Sequence, residues 1–323
     1  MAMDRFANKL VSRWLLEANN DTEELEYIQS LTSYLADKLY EDYEPCQFER
    51  FADRLDSWLA NLDDEDDQKT LYLLLKQIFF VGRREFESLC RAAFHGPIMR
   101  WLLDSANIAL DDPDISAKYK AAMEDTWFCP ITDSMRINAF FKVTGIHGRE
   151  LQPDWRSLRK FGDTVKIRDY IEKSGIKRIV LLEDFVGTGI QMGKAITFAA
   201  ELGEKIEVLV CPLIICPEGV KKAIELKKKY NNISFAQVMS LPPSMFIRMA
   251  AGPTDLPHHA AVRELIRKTA PRLSQKIVPQ TAHGFMDTGA TVVLYSNCPD
   301  NSLPIIHETA DTWRPLFPRI RRG

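Results

Sequence analysis

The sequence predicts a mixed α/β protein, in which a mainly parallel sheet is flanked by helices and preceded by an N-terminal α-helical domain. Three observations predict it. The first third reads as helices, with apolar residues recurring every three or four positions. From about residue 126 onward, β-like runs alternate with helical stretches, the pattern of βαβ units. The run Arg178-Ile179-Val180-Leu181-Leu182 is almost wholly apolar, as a strand covered on both faces must be. The expected division is a helical domain over 1–125 and an α/β domain over 126–323.

The elements follow in order. Leu25, Ile28, Leu31, Leu35 and Leu39 line one face of an amphipathic helix, with Asp21 and Glu24 as a capping pair at its start. Phe48, Phe51, Leu55, Trp58, Leu59 and Leu62 continue that spacing after Pro45. Consecutive carboxylates splay apart, so Asp63-Asp64-Glu65-Asp66-Asp67 reads as a solvated turn and not a metal site. Leu71, Leu74, Leu75, Ile78 and Phe79 predict a third helix, and 85–103 a fourth, kinked near Pro97. Beyond Asp111-Asp112-Pro113-Asp114 come strand-like runs at 136–143, 178–182, 206–215, 233–239 and 290–295. Helical stretches at 164–173, 190–202 and 218–230 lie between them.

Across 323 residues, 46% hydrophobic and 27% charged content predicts a packed globular chain over a disordered one. A net charge of −3 argues against a dedicated electrostatic clamp on nucleic acid. The basic run Arg319-Ile320-Arg321-Arg322 reads as a solvated terminus. No segment approaches the ~20 apolar residues a bilayer span needs. The start Met1-Ala2-Met3-Asp4-Arg5 lacks the apolar stretch of a secretion signal, so the expected location is cytoplasmic, with no membrane partner. Six cysteines without a Cys-x-x-Cys pair are expected as buried apolar residues.

The chemistry concentrates where the central strand ends, in Glu183-Asp184-Phe185-Val186-Gly187-Thr188-Gly189-Ile190-Gln191. Two acids stand at the carboxyl end of a parallel strand, where open α/β sheets bind ligands. A short loop with two glycines and a threonine then enters a helix. Such a loop turns backbone N–H groups toward a phosphate, and the helix dipole favours the same charge. Adjacent carboxylates can accept hydrogen bonds from vicinal sugar hydroxyls. No Lys-Ser/Thr pair follows, which excludes a P-loop. The acids precede the glycines, which excludes a dinucleotide fingerprint.

These residues resemble the phosphoribosyl-diphosphate-binding motif of type I phosphoribosyltransferases. That resemblance implies that Glu183 and Asp184 contact the ribose hydroxyls as the catalytic pair. It further implies that the loop with Phe185, Val186, Gly187, Thr188, Gly189 and Gln191 cradles the ribose phosphate. Gly187 departs from the pattern, since many members carry threonine there. Phe128-Cys129-Pro130-Ile131-Thr132-Asp133-Ser134, the run 295–304 and Trp313, Pro315, Leu316, Phe317 and Pro318 resemble phosphoribosyltransferase-like effectors of bacterial conflict systems. Members of that family accompany retrons. The resemblance implies a defence effector held in check by partners, namely a reverse transcriptase with its RNA-linked DNA and a winged-helix protein. It also implies Mg²⁺ as cofactor, held without direct protein ligands, and a nucleotide or phosphoribosyl diphosphate as ligand.

On that reading the enzyme is a phosphoribosyltransferase or a nucleotide N-glycosidase acting at the ribose C1 with oxocarbenium character. The alternative is a non-catalytic sensor that keeps the cradle. Arg149, Arg156, Arg159 and Lys160 are candidate diphosphate contacts, or an exposed basic loop. Asn297, Asp300 and Asn301 either read a base edge or hold a turn around Pro299. Asp133, Ser134 and the stretch 240–244 are further candidates beside a diphosphate. Asp287-Thr288-Gly289 looks like an aspartic-protease turn but has no second acid turn, and a tight turn before the last strand accounts for it.

Overall fold

The computed structural model describes residues 5–17, 21–148, 164–203, 205–273 and 281–320. Helices α1 (Phe6–Leu16), α2 (Thr22–Lys38), α3 (Phe51–Leu59) and α4 (Glu65–Leu73) lead into a three-residue strand, β1 (Phe79–Val81). Next come α5 (Arg83–Ala93), α6 (Met99–Ser105), α7 (Ile115–Glu124), β2 (Thr126–Pro130), α8 (Ile137–Thr144) and α9 (Thr164–Lys173). The core βαβ run is β3 (Arg178–Val186), α10 (Ile190–Ala200), β4 (Glu207–Ile215), α11 (Pro217–Lys229), β5 (Ile233–Phe235) and β6 (Met239–Ser240). The chain ends with α12 (His259–Leu273), β7 (Val292–Leu294) and α13 (Pro304–His307). This is the expected mixed α/β architecture, with parallel sheets flanked by helices and a helical front.

The chain divides into two compact units, one of 84–242 and one of 1–83 with 243–323. That division differs from a single boundary after residue 125. Its physical basis is that the C-terminal segment returns to the front helices, where β1 pairs in parallel with β7 through Phe79↔Val292 and Val81↔Leu294.

In the unit of 84–242 the sheet runs β2-β3-β4-β5, with β6 beside the far end of β4, and every pairing is parallel. All nine residues of β3 are buried. One face carries Trp127, Cys129, Ile179, Leu181, Val208 and Val210, packed with Ile167 and Ile171 of α9 and Ala195, Ile196 and Ala199 of α10. On the opposite face Phe128 stacks 5.9 Å from Phe140 of α8, which in turn meets Phe94 at 6.3 Å. Arg178 pins the start of β3. Its Nη1 donates to Asp125 Oδ1 at 2.5 Å, and its Nε to Ser105 Oγ at 2.6 Å.

In the other unit, Tyr40, Tyr43, Phe51, Phe80 and Phe317 form an aromatic cluster around the buried Arg54. Trp58 and Trp313 both donate their indole N–H to Ile305 O, at 2.8 and 3.2 Å. Trp313, Leu316 and Phe317 are therefore core, with Arg314 between them exposed.

Several expectations are corrected. Residues 136–143 form α8, not a strand; Ile137, Phe140, Phe141 and Thr144 repeat at helical spacing, and left-handed Gly145 (φ 72°) closes the helix. The run 233–239 splits into β5 and β6. Asp21 precedes α2 without a side-chain cap bond, because its carboxylate takes Lys69 Nζ at 2.8 Å. The acidic run is a helix start, with Asp64 Oδ1 accepting the Asp67 N–H at 2.9 Å and the following acids facing the helix dipole. The 85–103 helix is indeed interrupted at Pro97, by a π turn over Phe94–Ile98. Asp287-Thr288-Gly289 is a tight turn, with Met286 and Asp287 at positive φ and Asp287 Oδ1 accepting the Met249 N–H.

Candidate functional site

The site grows from the length of β3. The strand runs past Leu182 to Val186, so both acids lie inside it, paired onward through Glu183↔Pro212, Phe185↔Ile214 and Val186↔Ile215. Glu183 and Asp184 are 4% and 3% exposed. Phe185 and Val186 were expected in the loop; they are buried strand residues instead, because β4 is long enough to keep pairing with them.

On its other side β3 loses its neighbour sooner. Ile131 N–H donates to Leu182 O, and β2 then ends, so the following residues fold across the strand's carboxyl end. There Thr132 N–H donates to Glu183 Oε2 at 2.8 Å and the Thr132 hydroxyl to Oε1 at 2.5 Å. The Ser134 hydroxyl stands 2.8 Å from Asp184 Oδ1, 3.4 Å from Glu183 Oε1 and 2.7 Å from Thr132 Oγ1. The two carboxylates thus converge on one hydroxyl, that of Ser134, at the carboxyl end of the strand. Asp184 Oδ1 also accepts the Phe185 N–H at 2.7 Å.

Burial pushes the Glu183 carboxyl well above the usual range, and the neighbouring Asp184 charge pushes the same way. Hydrogen bonds from Thr132 and Ser134 pull back, less strongly. Beneath the pair, the Cys90 thiol of α5 is raised to about 12, first by burial and then by nearby charges that include Asp184.

After Val186 the chain turns through Gly187, Thr188 and Gly189 into α10. Gly189 is the N-cap at φ 78°, a left-handed conformation that favours glycine. The first bond of α10 is Gly193 N–H to Gly189 O at 2.7 Å, so Ile190, Gln191 and Met192 present N–H groups without an intrahelical acceptor. Gly187 and Gly189 are buried and Thr188 is half-buried, whereas Ile190 and Gln191 at the start of α10 are exposed, so the site reaches water on that side. A second helix braces it. A Cβ on Gly219 of α11 would stand 2.8 Å from Val186 Cγ1 and 3.0 Å from Gly187 O. The same helix brings Lys222 beside Gly189.

Thr132, Gly219 and Lys222 escaped sequence reasoning. Thr132 stood within the run 128–134 that carries the family resemblance, without a role of its own. The remaining candidates part ways. Arg149, Arg156, Arg159 and Lys160 lie outside the described residues. Asn297, Asp300 and Asn301 belong to the unit holding 243–323. There Asn297 bonds Ile320 and Cys298, Asn301 Nδ2 donates to Thr288 Oγ1 at 2.9 Å, and Asp300 pairs with Arg319 at 3.5 Å. Those bonds tie the loop to Thr288 and to the stretch around Arg319 and Ile320.

Among the described residues no helix is long and apolar enough to cross a membrane. The family model described as PRTase-CE matches residues 55–319. No curated protein and no solved structure matches the chain.

Proposed function

The chain belongs to the PRTase-CE family, and from that premise we propose that residues 183–191 grip a ribose 5-phosphate group for transfer or cleavage at its C1. The observation that carries this reading is the left-handed Gly189 at the N-cap of α10, which starts a helix with free N–H groups at the end of a strand holding two acids. The 5-phosphate meets the N–H groups of Gly187–Gln191, and Glu183 and Asp184 hold the sugar hydroxyls. Gripping both ends fixes C1 for attack or departure, so catalysis is largely positioning.

Mg²⁺ belongs to the same proposal. The carboxylates of Glu183 and Asp184 are hard oxygen donors of the kind it prefers. Both carboxylates already accept protein hydrogen bonds, which suits an ion held mainly through waters and ligand oxygens. When bound, it would neutralise charge on a leaving diphosphate.

The wider reading is a cytoplasmic, transferase-type effector of a retron-like bacterial defence system. Its restraint by a reverse transcriptase with RNA-linked DNA and a winged-helix protein rests on the resemblance of residues 128–134 and 295–304. The test is incubation of the full chain with phosphoribosyl diphosphate, Mg²⁺ and a nucleotide panel, reading released pyrophosphate or free base. Turnover abolished by Asp184→Asn in a folded protein supports the enzyme; turnover indifferent to that change removes the site. A sensor is the second reading, favoured by the deep burial of both acids. Saturable binding without turnover, with the partners present, would select it.

A further inference from the structure

Thr132 and Ser134 place two hydroxyl oxygens 2.7 Å apart, one against Glu183 and the other against Asp184. Neighbouring hydroxyls on a furanose ring stand at a similar separation. We infer that Thr132 and Ser134 form an internal stand-in for a ribose cis-diol, so that the acid pair is self-occupied and a sugar enters by displacing residues 132–134. This inference rests on the ribose-phosphate reading of the acids and adds the regulation of that site.

The segment is built to lift. Ile131 and Met135 are buried at its two ends, 6% and 3% exposed, and act as anchors. Between them Thr132 and Ser134 are half-buried and Asp133 is exposed, so three residues span the acids with water on their outer side. Their grip on the acids consists of hydrogen bonds from hydroxyls and one N–H, the same kind of bond a diol donates. A diol replaces the two hydroxyl donors and water admitted under the lifted residues replaces the Thr132 N–H, so the exchange is nearly balanced and small differences decide it. A cis-diol replaces both hydroxyls, whereas a 2-deoxy sugar replaces one and leaves a buried carboxylate oxygen short of a donor. The phosphate turn is not covered in this way, since Thr188, Ile190 and Gln191 reach solvent. A ligand can dock its phosphate first and compete for the acids afterwards.

Calorimetric titration of the full chain with ribose 5-phosphate and 2-deoxyribose 5-phosphate tests this, using wild type, Ser134→Ala and Thr132→Val, each checked for an unchanged fold by circular dichroism. Removing the competing hydroxyl in Ser134→Ala is expected to tighten ribose 5-phosphate by about tenfold, the scale of one hydrogen bond to a charged group. Amide exchange supplies a second readout. Thr132 N–H, bonded to Glu183 in the free chain, is expected to exchange faster when ribose 5-phosphate binds, although ligands ordinarily slow exchange. Wild-type binding with Ser134→Ala equal or weaker, and Thr132 N–H more protected, overturns the stand-in and leaves the sugar site intact. Absence of binding in every form removes the ribose-phosphate reading and the stand-in with it.

Discussion

Gly189 lies so close to Gly219 that a Cβ on the former would stand 3.2 Å from the Cα of the latter. The two glycines let the first turns of α10 and α11 meet behind the turn Gly187–Gly189, which gives that turn its shape. Gly219→Ala drives a methyl into Val186, Ile215 and the Gly187 carbonyl, and overpacking of this kind costs about 1–3 kcal/mol. Gly193, one turn along α10, meets only ordinary contacts at 3.6 Å. Gly193→Ala should therefore gain about 0.5–1 kcal/mol from helix propensity. Urea denaturation of both variants checks the pair, and a neutral Gly219→Ala would contradict the close packing.

Glu183 makes the site sensitive to pH. Burial holds its folded pKa well above that of a free glutamate carboxyl, so over the window between the two the native state keeps a proton that the unfolded chain has released. Stability from this group is complete below the unfolded value and is lost as pH rises through the folded one. Glu183→Gln removes the titration. Thermal melts from about pH 4.5 to about pH 8 should show the variant gaining on wild type as pH rises. A difference that stays flat would contradict the buried, proton-holding carboxyl.

Arg54 ties the aromatic cluster to the chain end. It is 2% exposed, donates to Leu316 O at 3.1 Å and Tyr40 O at 2.8 Å, and lies 5.4 Å from the Phe317 ring centroid. Arg54→Met removes both donors and the stacking, a loss of about 2–4 kcal/mol. Arg54→Lys keeps the charge but not the planar fork, so it should lose a similar amount. Chemical denaturation reads both, and a loss below about 0.5 kcal/mol would show that the arginine does not hold the segment.

The parts of this molecule governed by local pattern were legible. The apolar run after Arg178, the helix Thr164–Lys173 and the start of α10 at Ile190 follow from periodicity and the glycines beside them. Long-range pairing was not legible. Phe79 continues the helical spacing of Leu71 and Leu75, and only its partner Val292, far along the chain, makes it a strand. Likewise Ala290 to Tyr295 looked like one more strand of the main sheet, but among the described residues the strand that β7 pairs with is β1. Phe140 and Phe141 misled because adjacent aromatics suit a strand as well as a helix face. In the site, the two acids and the turn stood out, whereas the bond from Thr132 to Glu183 joins residues 51 apart and leaves no mark in local spacing. Asn297 and Asn301 have a composition that fits base recognition and turn-making alike, and in the structure Asn297 Oδ1 accepts the Cys298 N–H while Asn301 Nδ2 donates to Thr288 Oγ1.

A crystal structure of the full chain soaked with ribose 5-phosphate tests the central claim most directly. Phosphate density is predicted against the N–H groups of Gly187–Gln191, with the sugar over Glu183 and Asp184 and the Thr132 and Ser134 hydroxyls lifted away. Phosphate bound elsewhere, with the acids still sealed beneath Thr132 and Ser134, would contradict it.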